Sequence, residues 1–160
     1  MHPRARELID TLRLAAHPEG GWYREVHRAA TGVRRDGDGA SRSGLTTIFF
    51  LLAAGERSRW HRVAGADEAW HHYEGAPLEL LSFAPDGTQA STTPLGRDAA
   101  HRVHVVPAGW WQAARPLGDY ALVGCSVGPG FDFADFALLH DLPPPQRPPR
   151  PAFADFDALL

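Results

Sequence analysis

Two short segments of the chain hold most of the residues whose type and spacing could do chemistry. The first, residues 55–75, places His61 and Glu68 between two glycines. The second is the turn from Pro107 to Gln112. An imidazole and a carboxylate that share a pocket can bind a divalent metal ion or transfer protons at neutral pH. We therefore expect His61 and Glu68 to belong to a functional site.

The two segments resemble the two signature motifs of the cupin superfamily, in which the first motif supplies His, His and Glu and the second a third His to one metal ion. Here Val63 occupies the position of the second His, and Gln112 that of the third. Valine cannot bind a metal, and a glutamine amide oxygen is a weak ligand for zinc, iron or nickel. The resemblance therefore predicts no firmly bound cofactor. A divalent metal held weakly by His61, Glu68 and Gln112 stays open if water or another group completes its shell.

Longer stretches resemble one cupin family in particular, the family catalogued as a domain of unknown function (DUF985, also called Cupin_5). The stretches are residues 17–25, 58–63, 67–73, 75–80, 106–114 and 122–136. The resemblance extends from about residue 8 to about residue 138. It implies a jelly-roll barrel, also called a double-stranded β-helix, with a pocket for a small-molecule ligand at the barrel mouth. It also implies a homodimer as the usual assembly, and it implies no agreed reaction.

Strand alternation suggests which neighbours of Glu68 face the pocket. If Glu68 points into the barrel, Trp70 and His72 do so as well, and His71 points away. A bulge after Glu68 would reverse the choice between His71 and His72. With the inward arrangement, His61, Glu68 and His72 are the candidate catalytic residues, because such a cluster can exchange protons at neutral pH.

Aromatic and polar residues nearby are candidates for substrate binding. Flat aromatic walls suit stacking on a sugar ring or a base, although Phe49 and Trp70 taken singly are also typical of barrel core. The turn Gly20-Gly21 allows the segment with His17, Glu19, Tyr23 and Arg24 to approach another surface closely, where it lines either the pocket or the dimer seam. The candidate substrate-binding residues are Glu19, Tyr23, Phe49, Trp70, Trp110 and Gln112. Asp132 and Asp135 are expected to cap turns or pair with arginines.

The surrounding pattern is all-β with a short N-terminal helix. Apolar residues at near-helical spacing predict the helix over residues 3–16, before Pro18. Many short strands separated by Gly and Pro turns predict a sandwich or a jelly-roll barrel. The predicted strands are 22–27, 46–52, 57–63, 68–74, 78–84, 88–94, 101–106, 110–114 and 120–127. Residues 31–43 are expected to form a mobile surface loop.

The chain divides into a cupin domain over residues 1–142 and a Pro-rich tail over residues 143–160. The tail has the composition of an extended polyproline segment followed by apolar residues. Three alternatives stay open for it: docking on the barrel, docking on a second subunit, or fraying.

Composition excludes several classes of function. The formal charge of -3 gives no basic surface for nucleic acid. All 16 basic residues are arginines, so lysine Schiff-base chemistry is excluded. Cys125 is the one cysteine and lies in an apolar run, which favours a buried thiol in a reducing compartment. No segment has the apolar length needed to cross a membrane, and we expect a cytoplasmic protein.

Three functions remain to be distinguished. The first is an isomerase, epimerase or lyase that acts by acid-base chemistry on a sugar-like or other small polar metabolite. The second is a non-catalytic cupin that only binds a small molecule. The third, a metal-dependent oxygenase, is disfavoured because Val63 and Gln112 replace two ligand positions.

Overall fold

The computed structural model describes all residues from 1 to 160, which form two facing antiparallel sheets preceded by one helix. The helix α1 is Pro3–Leu12, and short 3-10 helices are Phe133–Asp135, Pro144–Gln146 and Phe156–Leu159. The first strands are β1 Ala15–Ala16, β2 Trp22–Arg28, β3 Gly32–Arg34, β4 Ser41–Ser43, β5 Thr46–Ala53, β6 Ser58–Val63 and β7 Asp67–Gly75. The later strands are β8 Leu78–Phe83, β9 Ala90–Leu95, β10 Val103–Val106, β11 Trp111–Pro116, β12 Tyr120–Gly128 and β13 Phe136–Leu138.

The two sheets form a jelly roll. One has six strands in the order β1-β2-β5-β12-β7-β10, and the other has five in the order β13-β6-β11-β8-β9. Neighbouring strands in each sheet are antiparallel, and many neighbours are distant in sequence, such as β5 beside β12. The prediction of an all-β jelly-roll barrel with a short N-terminal helix is confirmed.

The space between the sheets is filled by side chains at one end. Phe50 and Trp70 from the six-stranded sheet meet Leu78 and Leu80 from the five-stranded sheet, and all four are essentially inaccessible to solvent. Alternate residues of β5 and β7 therefore face this core, as a period of two requires. The other end of the space is left open as a cavity.

Helix α1 packs on the outside of the six-stranded sheet. His2 caps its first turn by accepting a hydrogen bond from the Arg4 backbone, and Ala5 and Leu8 pack among Leu51 and Leu122. The helix is shorter than the predicted 3–16 because Arg13 adopts a left-handed conformation with φ of 53°. At ten residues, this one α-helix is neither long enough nor apolar enough to span a membrane.

The mobile loop expected over residues 31–43 is instead a hairpin of β3 and β4. Its anchor comes from a distant part of the chain, because Arg35 and Arg42 both donate hydrogen bonds to Asp135. A tertiary clamp of this kind leaves no local signal, and polar composition alone made the segment look like a loop. The expectations that Asp135 pairs with arginines and that Asp132 caps a turn, here by accepting from the Ala134 backbone, agree with the structure.

The C-terminal tail docks on the outer face of the five-stranded sheet. Phe156 and Leu159 are buried there with Trp60, Phe83 and Leu139. The ring of Phe156 stacks on Trp60 at a centroid distance of 5.2 Å, and the Trp60 indole donates to the Phe156 carbonyl at 3.1 Å. Of the three alternatives that the sequence left open, the structure shows docking on the barrel.

Candidate functional site

The open end of the barrel holds a cavity of about 460 Å³ between the two sheets. Both sheets contribute to it, together with the segment before β2 and the segment after β12. Its polar lining includes His17, Tyr23, His61, Glu68 and Cys125, and its apolar lining includes Ile48, Val63, Val127, Phe131 and Phe133. The cavity thus combines titratable groups with an apolar wall, as small-molecule sites commonly do.

His61 enters the cavity from β6 and is 2 % exposed. Its Nδ1 lies 2.8 Å from the carbonyl oxygen of Arg59. Because a carbonyl can only accept, Nδ1 carries the hydrogen and donates. The other nitrogen, Nε2, lies 3.3 Å from Oε2 of Glu19. Burial lowers the pKa of His61, and the charge of Glu68 opposes that shift in part.

Glu19 lies behind His61, in the tight turn that precedes β2. The turn fits against β6 because residue 20 is glycine with φ of 108°, and a Cβ there would lie 2.2 Å from the Arg57 carbonyl oxygen. The Glu19 carbonyl accepts from the Arg59 backbone at 2.8 Å, and its Oε1 accepts from the Ser58 hydroxyl at 2.8 Å. Burial raises the pKa of Glu19 to about 8. Glu19 is therefore held largely as the neutral acid at pH 7.

Glu68 reaches the cavity from β7, in the opposite sheet. Its Oε2 accepts a hydrogen bond from the amide nitrogen of Gln112, whose oxygen accepts from the Trp70 indole at 2.9 Å. Burial raises the pKa of Glu68. The Cys125 thiol beside it is buried, and burial raises its pKa as well. The environment of Glu68 thus favours the protonated acid more than water does.

The residues at the cupin ligand positions do not fit a metal ion. Val63 offers no donor atom, and the Gln112 oxygen is already engaged by Trp70. The His61 nitrogen that has a lone pair faces Glu19, as its 3.3 Å separation from Oε2 shows. No group of three or more His, Cys, Asp or Glu side chains is arranged to hold a metal ion. The chemistry of the site is therefore derived from the protein side chains alone.

The structure brings together some of the predicted site residues. Tyr23, His61 and Glu68 line the cavity, and Glu19 contacts His61 from behind. Gln112 lies behind Glu68 and is 1 % exposed. The five residues therefore include three that line the cavity and two that contact lining residues from behind.

Other predicted site residues lie elsewhere. His72 is buried, as alternation predicts for the inward choice, but it does not line the cavity, and its Nε2 donates to the Ala76 carbonyl at 2.9 Å. Phe49 contacts Tyr73 on the opposite face of the sheet from Ile48. Trp70 is fully buried in the core, and Trp110 packs against that core outside the cavity.

His17 belongs to the segment that was expected to line either the pocket or the dimer seam, and it lines the cavity. It packs edge-on against Tyr23 at 4.4 Å, and its Nδ1 lies 3.5 Å from Glu19 Oε2. Sequence reasoning missed other cavity residues. Cys125 could have been found from alternation along β12, where Val123 and Val127 also face inward. The contribution of Phe131 and Phe133 to the rim depends on a return of the chain that has no local signal.

The sequence and the fold both match known proteins. The profile of the family Cupin_5, described as the cupin superfamily (DUF985), matches residues 6–139. A hypothetical protein from Leishmania major is 32% identical with a TM-score of 0.77, over 83% of this chain and 85% of that one. Protein SO0799 from Shewanella oneidensis is 37% identical with a TM-score of 0.75, over 84% of this chain and 83% of that one.

More distant structures share the fold alone. The capsular polysaccharide assembling protein CapF from Staphylococcus aureus is 13% identical with a TM-score of 0.59, over 78% of this chain and 33% of that one. No protein of curated function matches this chain. The cavity geometry is therefore the main guide to activity.

Proposed function

The chain belongs to the Cupin_5 (DUF985) family of the cupin superfamily, and we propose that it is an isomerase, epimerase or lyase that acts by acid-base chemistry. The substrate is a sugar-like or other small polar metabolite bound in the barrel. The proposal needs no metal ion. Val63 offers no donor atom, Gln112 is bonded to Trp70 and Glu68, and the His61 lone pair lies beside Glu19.

One observation carries the proposal: two buried acid-base groups reach the same cavity from opposite sheets. Glu68 stands on the six-stranded sheet, and His61 stands on the five-stranded sheet with Glu19 behind it. A molecule bound between the sheets would have a proton-transfer group on each side. Epimerisation and elimination both need a proton removed at one position and a proton delivered at another.

The electrostatics of the site suit this role. Burial favours the neutral forms of all three groups, because it raises the pKa of Glu68 and Glu19 and lowers that of His61. A neutral imidazole can take up a proton, and a protonated carboxyl can release one. Proton transfer through the substrate therefore leaves the total charge inside the cavity unchanged, which a low-dielectric site favours.

The rim of the cavity fits a substrate with both polar and apolar parts. Phe131 and Phe133 meet edge-to-face at 5.1 Å on the rim, where the Phe133 side chain is 57% exposed. Arg28 lines the same cavity, paired with Glu25. Rings of sugars and bases pack on such aromatic surfaces.

The test follows proton exchange at carbon. The protein is incubated in D₂O with sugar phosphates, nucleotide sugars and sugar acids, and ¹H NMR follows loss of C–H signals and appearance of products. We expect exchange with at least one compound and a loss of about 10²-fold or more in Glu68→Gln and in His61→Asn. Matched controls are Glu7→Gln and His140→Asn, which change exposed residues that do not line the cavity. Exchange that survives both site variants overturns the proposal.

A non-catalytic ligand-binding cupin is the second candidate. The observation that favours it is the apolar wall of Ile48, Val63 and Val127, which offers contact and no chemistry. Calorimetric titration with the same compounds distinguishes the two functions. A compound that binds and shows no exchange over days, while none of the others is turned over, supports binding alone and overturns the enzymatic proposal.

A further inference from the structure

Glu19 and His61 meet in a way that determines where hydrogen atoms can lie. Oε2 of Glu19 is 3.3 Å from Nε2 of His61 and 3.5 Å from Nδ1 of His17. Its other oxygen, Oε1, accepts from the Ser58 hydroxyl. The side chains of Glu19 and His61 are 8% and 2% exposed, so water cannot readily supply a missing partner.

The His61 ring has one nitrogen available toward Glu19. Nδ1 donates to the Arg59 carbonyl at 2.8 Å, and the Ser58 hydroxyl oxygen lies 3.3 Å from the same nitrogen. A neutral imidazole carries one hydrogen, and here it is on Nδ1. Nε2 therefore carries the lone pair, and Oε2 of Glu19 lies 3.3 Å from it.

The His17 ring also presents a lone pair to Glu19. The Glu19 backbone N–H donates to Nδ1 of His17 at 3.3 Å, so that nitrogen accepts. If Glu19 were ionised, its charged Oε2 would lie beside the lone pairs of His61 Nε2 and His17 Nδ1, and none of these three atoms would carry a hydrogen. Buried polar atoms without a hydrogen to share are strongly disfavoured.

We infer that Glu19 is a positioning residue for His61, because it carries a hydrogen on Oε2 and donates it to His61 Nε2. The bond holds the ring in one orientation and in the Nδ1–H tautomer. This changes the role expected for Glu19, which was substrate binding, since Glu19 does not line the cavity. Burial supports the assignment by raising the pKa of Glu19 to about 8.

The inference rests on the proposed function only for what His61 does with substrate. When His61 takes a proton from the substrate, the Glu19 O–H turns away from Nε2 and keeps its own hydrogen, and the freed Nε2 lone pair receives the substrate proton. A glutamine in place of Glu19 can hold the resting ring in the same way through its amide, whereas a methionine cannot.

The test reads the tautomer of His61 directly. ¹⁵N NMR of the histidine side chains in the intact protein at pH 7 gives the protonation of each ring nitrogen, and the His61 signals are assigned by their absence in His61→Asn. We expect the neutral Nδ1–H form in the wild type and in Glu19→Gln, and a mixture or an imidazolium in Glu19→Met. Glu7→Gln, at an exposed glutamate whose side chain is 61% accessible, is the matched control. A wild-type His61 in the Nε2–H form or as an imidazolium overturns the inference, even if Glu19→Met does not fold.

Activity separates this inference from the proposed function. If a substrate is found, Glu19→Met should lower kcat by about 10²-fold with KM nearly unchanged, and Glu19→Gln should restore most of that loss. An unchanged kcat in Glu19→Met would overturn the positioning role of Glu19. If no compound is turned over but the tautomer is as expected, the proposed function fails and the positioning of His61 stands.

Discussion

The indole nitrogen of Trp70 donates to the side-chain oxygen of Gln112 at 2.9 Å, and this bond decides which way the amide faces. An indole N–H can only donate, so the atom next to it must be the amide oxygen. The amide nitrogen is then directed at Glu68 and donates to its Oε2. Gln112 thus links a core tryptophan to a cavity acid, at the position where the cupin motif has a metal-binding histidine.

Gln112→Leu should destabilise the fold. Leucine has a similar volume but leaves the Trp70 N–H and the Glu68 carboxyl without their partner, and each buried unpaired group costs about 1–3 kcal/mol. We expect the free energy of unfolding, measured by urea denaturation, to fall by about 2–4 kcal/mol. Gln89→Leu, at an exposed position, should change it by less than about 0.5 kcal/mol. Equal effects of the two variants would contradict the role given to this bond.

Asp135→Asn should loosen the hairpin of β3 and β4. Asp135 accepts from both Arg35 and Arg42, and the three side chains are 7%, 10% and 14% exposed. Replacing the carboxylate by an amide removes charge-assisted bonds, which we expect to cost about 1–2 kcal/mol. Hydrogen exchange of the hairpin amides should rise in this variant. Asp157→Asn, which breaks an exposed pair with Arg150, should leave exchange as it is.

The Asp135 carboxylate should also make the stability of the protein depend on pH in the acid range. Hydrogen bonds from Arg42 and then from Arg35 hold the pKa of Asp135 below its usual range, against the effect of burial. Its stabilisation is present above the unfolded pKa, near 3.9, and is lost as the pH falls through the folded value. Wild-type stability should therefore decline below about pH 4 more steeply than that of Asp135→Asn. Parallel declines in urea midpoints would count against the clamp.

Much of the fold could be predicted because its signals are local. Alternation and turn residues located nine strands within two residues of their observed bounds, as in β5, predicted as 46–52 and observed as Thr46–Ala53. The short edge strands β1 and β13 were not predicted. The hairpin over residues 32–43 was missed, because its stability comes from Asp135, far along the chain. The end of helix α1 was also missed, because the spacing of apolar residues does not indicate that Arg13 adopts a left-handed conformation.

The candidate site could be predicted in part, because local sequence signals mark some of its residues. His61 and Glu68 were found because a spaced motif marks them, and both line the cavity. His72 was placed on the correct face of β7, but alternation says nothing about depth along the strand, and its ring is engaged by the Ala76 carbonyl. The importance of Glu19 depends on a turn packing against β6, which only the three-dimensional contact with Ser58 reveals.

Phe156→Ala should release the tail from the five-stranded sheet. The Phe156 ring is 4% exposed and stacks on Trp60. Truncating a buried phenylalanine to alanine in a protein core lowers the free energy of unfolding by about 3–5 kcal/mol. The expected cost is lower, about 2 kcal/mol, because the tail can detach without unfolding the barrel. The Trp60 indole N–H signal should shift in the ¹H–¹⁵N spectrum. Phe133→Ala, at an exposed ring, should leave that signal in place.

Stability should also depend on pH through Glu19. Burial raises its folded pKa to about 8, whereas glutamate in an unfolded chain ionises near 4.3. Between these values the folded chain holds a proton that the unfolded chain does not, so the free energy of unfolding decreases as the pH rises and levels off above about 8. His17 and His61 act in the opposite sense because burial lowers their pKa, but only below about 6.5, where unfolded histidine still binds protons.

Over about pH 6.5 to 8 the difference between the wild type and Glu19→Gln isolates Glu19, because the histidines and Cys125 contribute to both proteins. There we expect wild-type stability to fall with pH, by at most about 1.4 kcal/mol per pH unit for each proton. Glu19→Gln should remove the part of this slope that comes from Glu19. The part that comes from Glu68, whose pKa burial also raises, should remain. Urea denaturation at half-unit steps measures the slope, with Glu7→Gln as a control that should match the wild type. Equal slopes in Glu19→Gln and the wild type would mean that Glu19 is already ionised at pH 6.5, and the hydrogen placed between Glu19 and His61 would then have to lie on the imidazole.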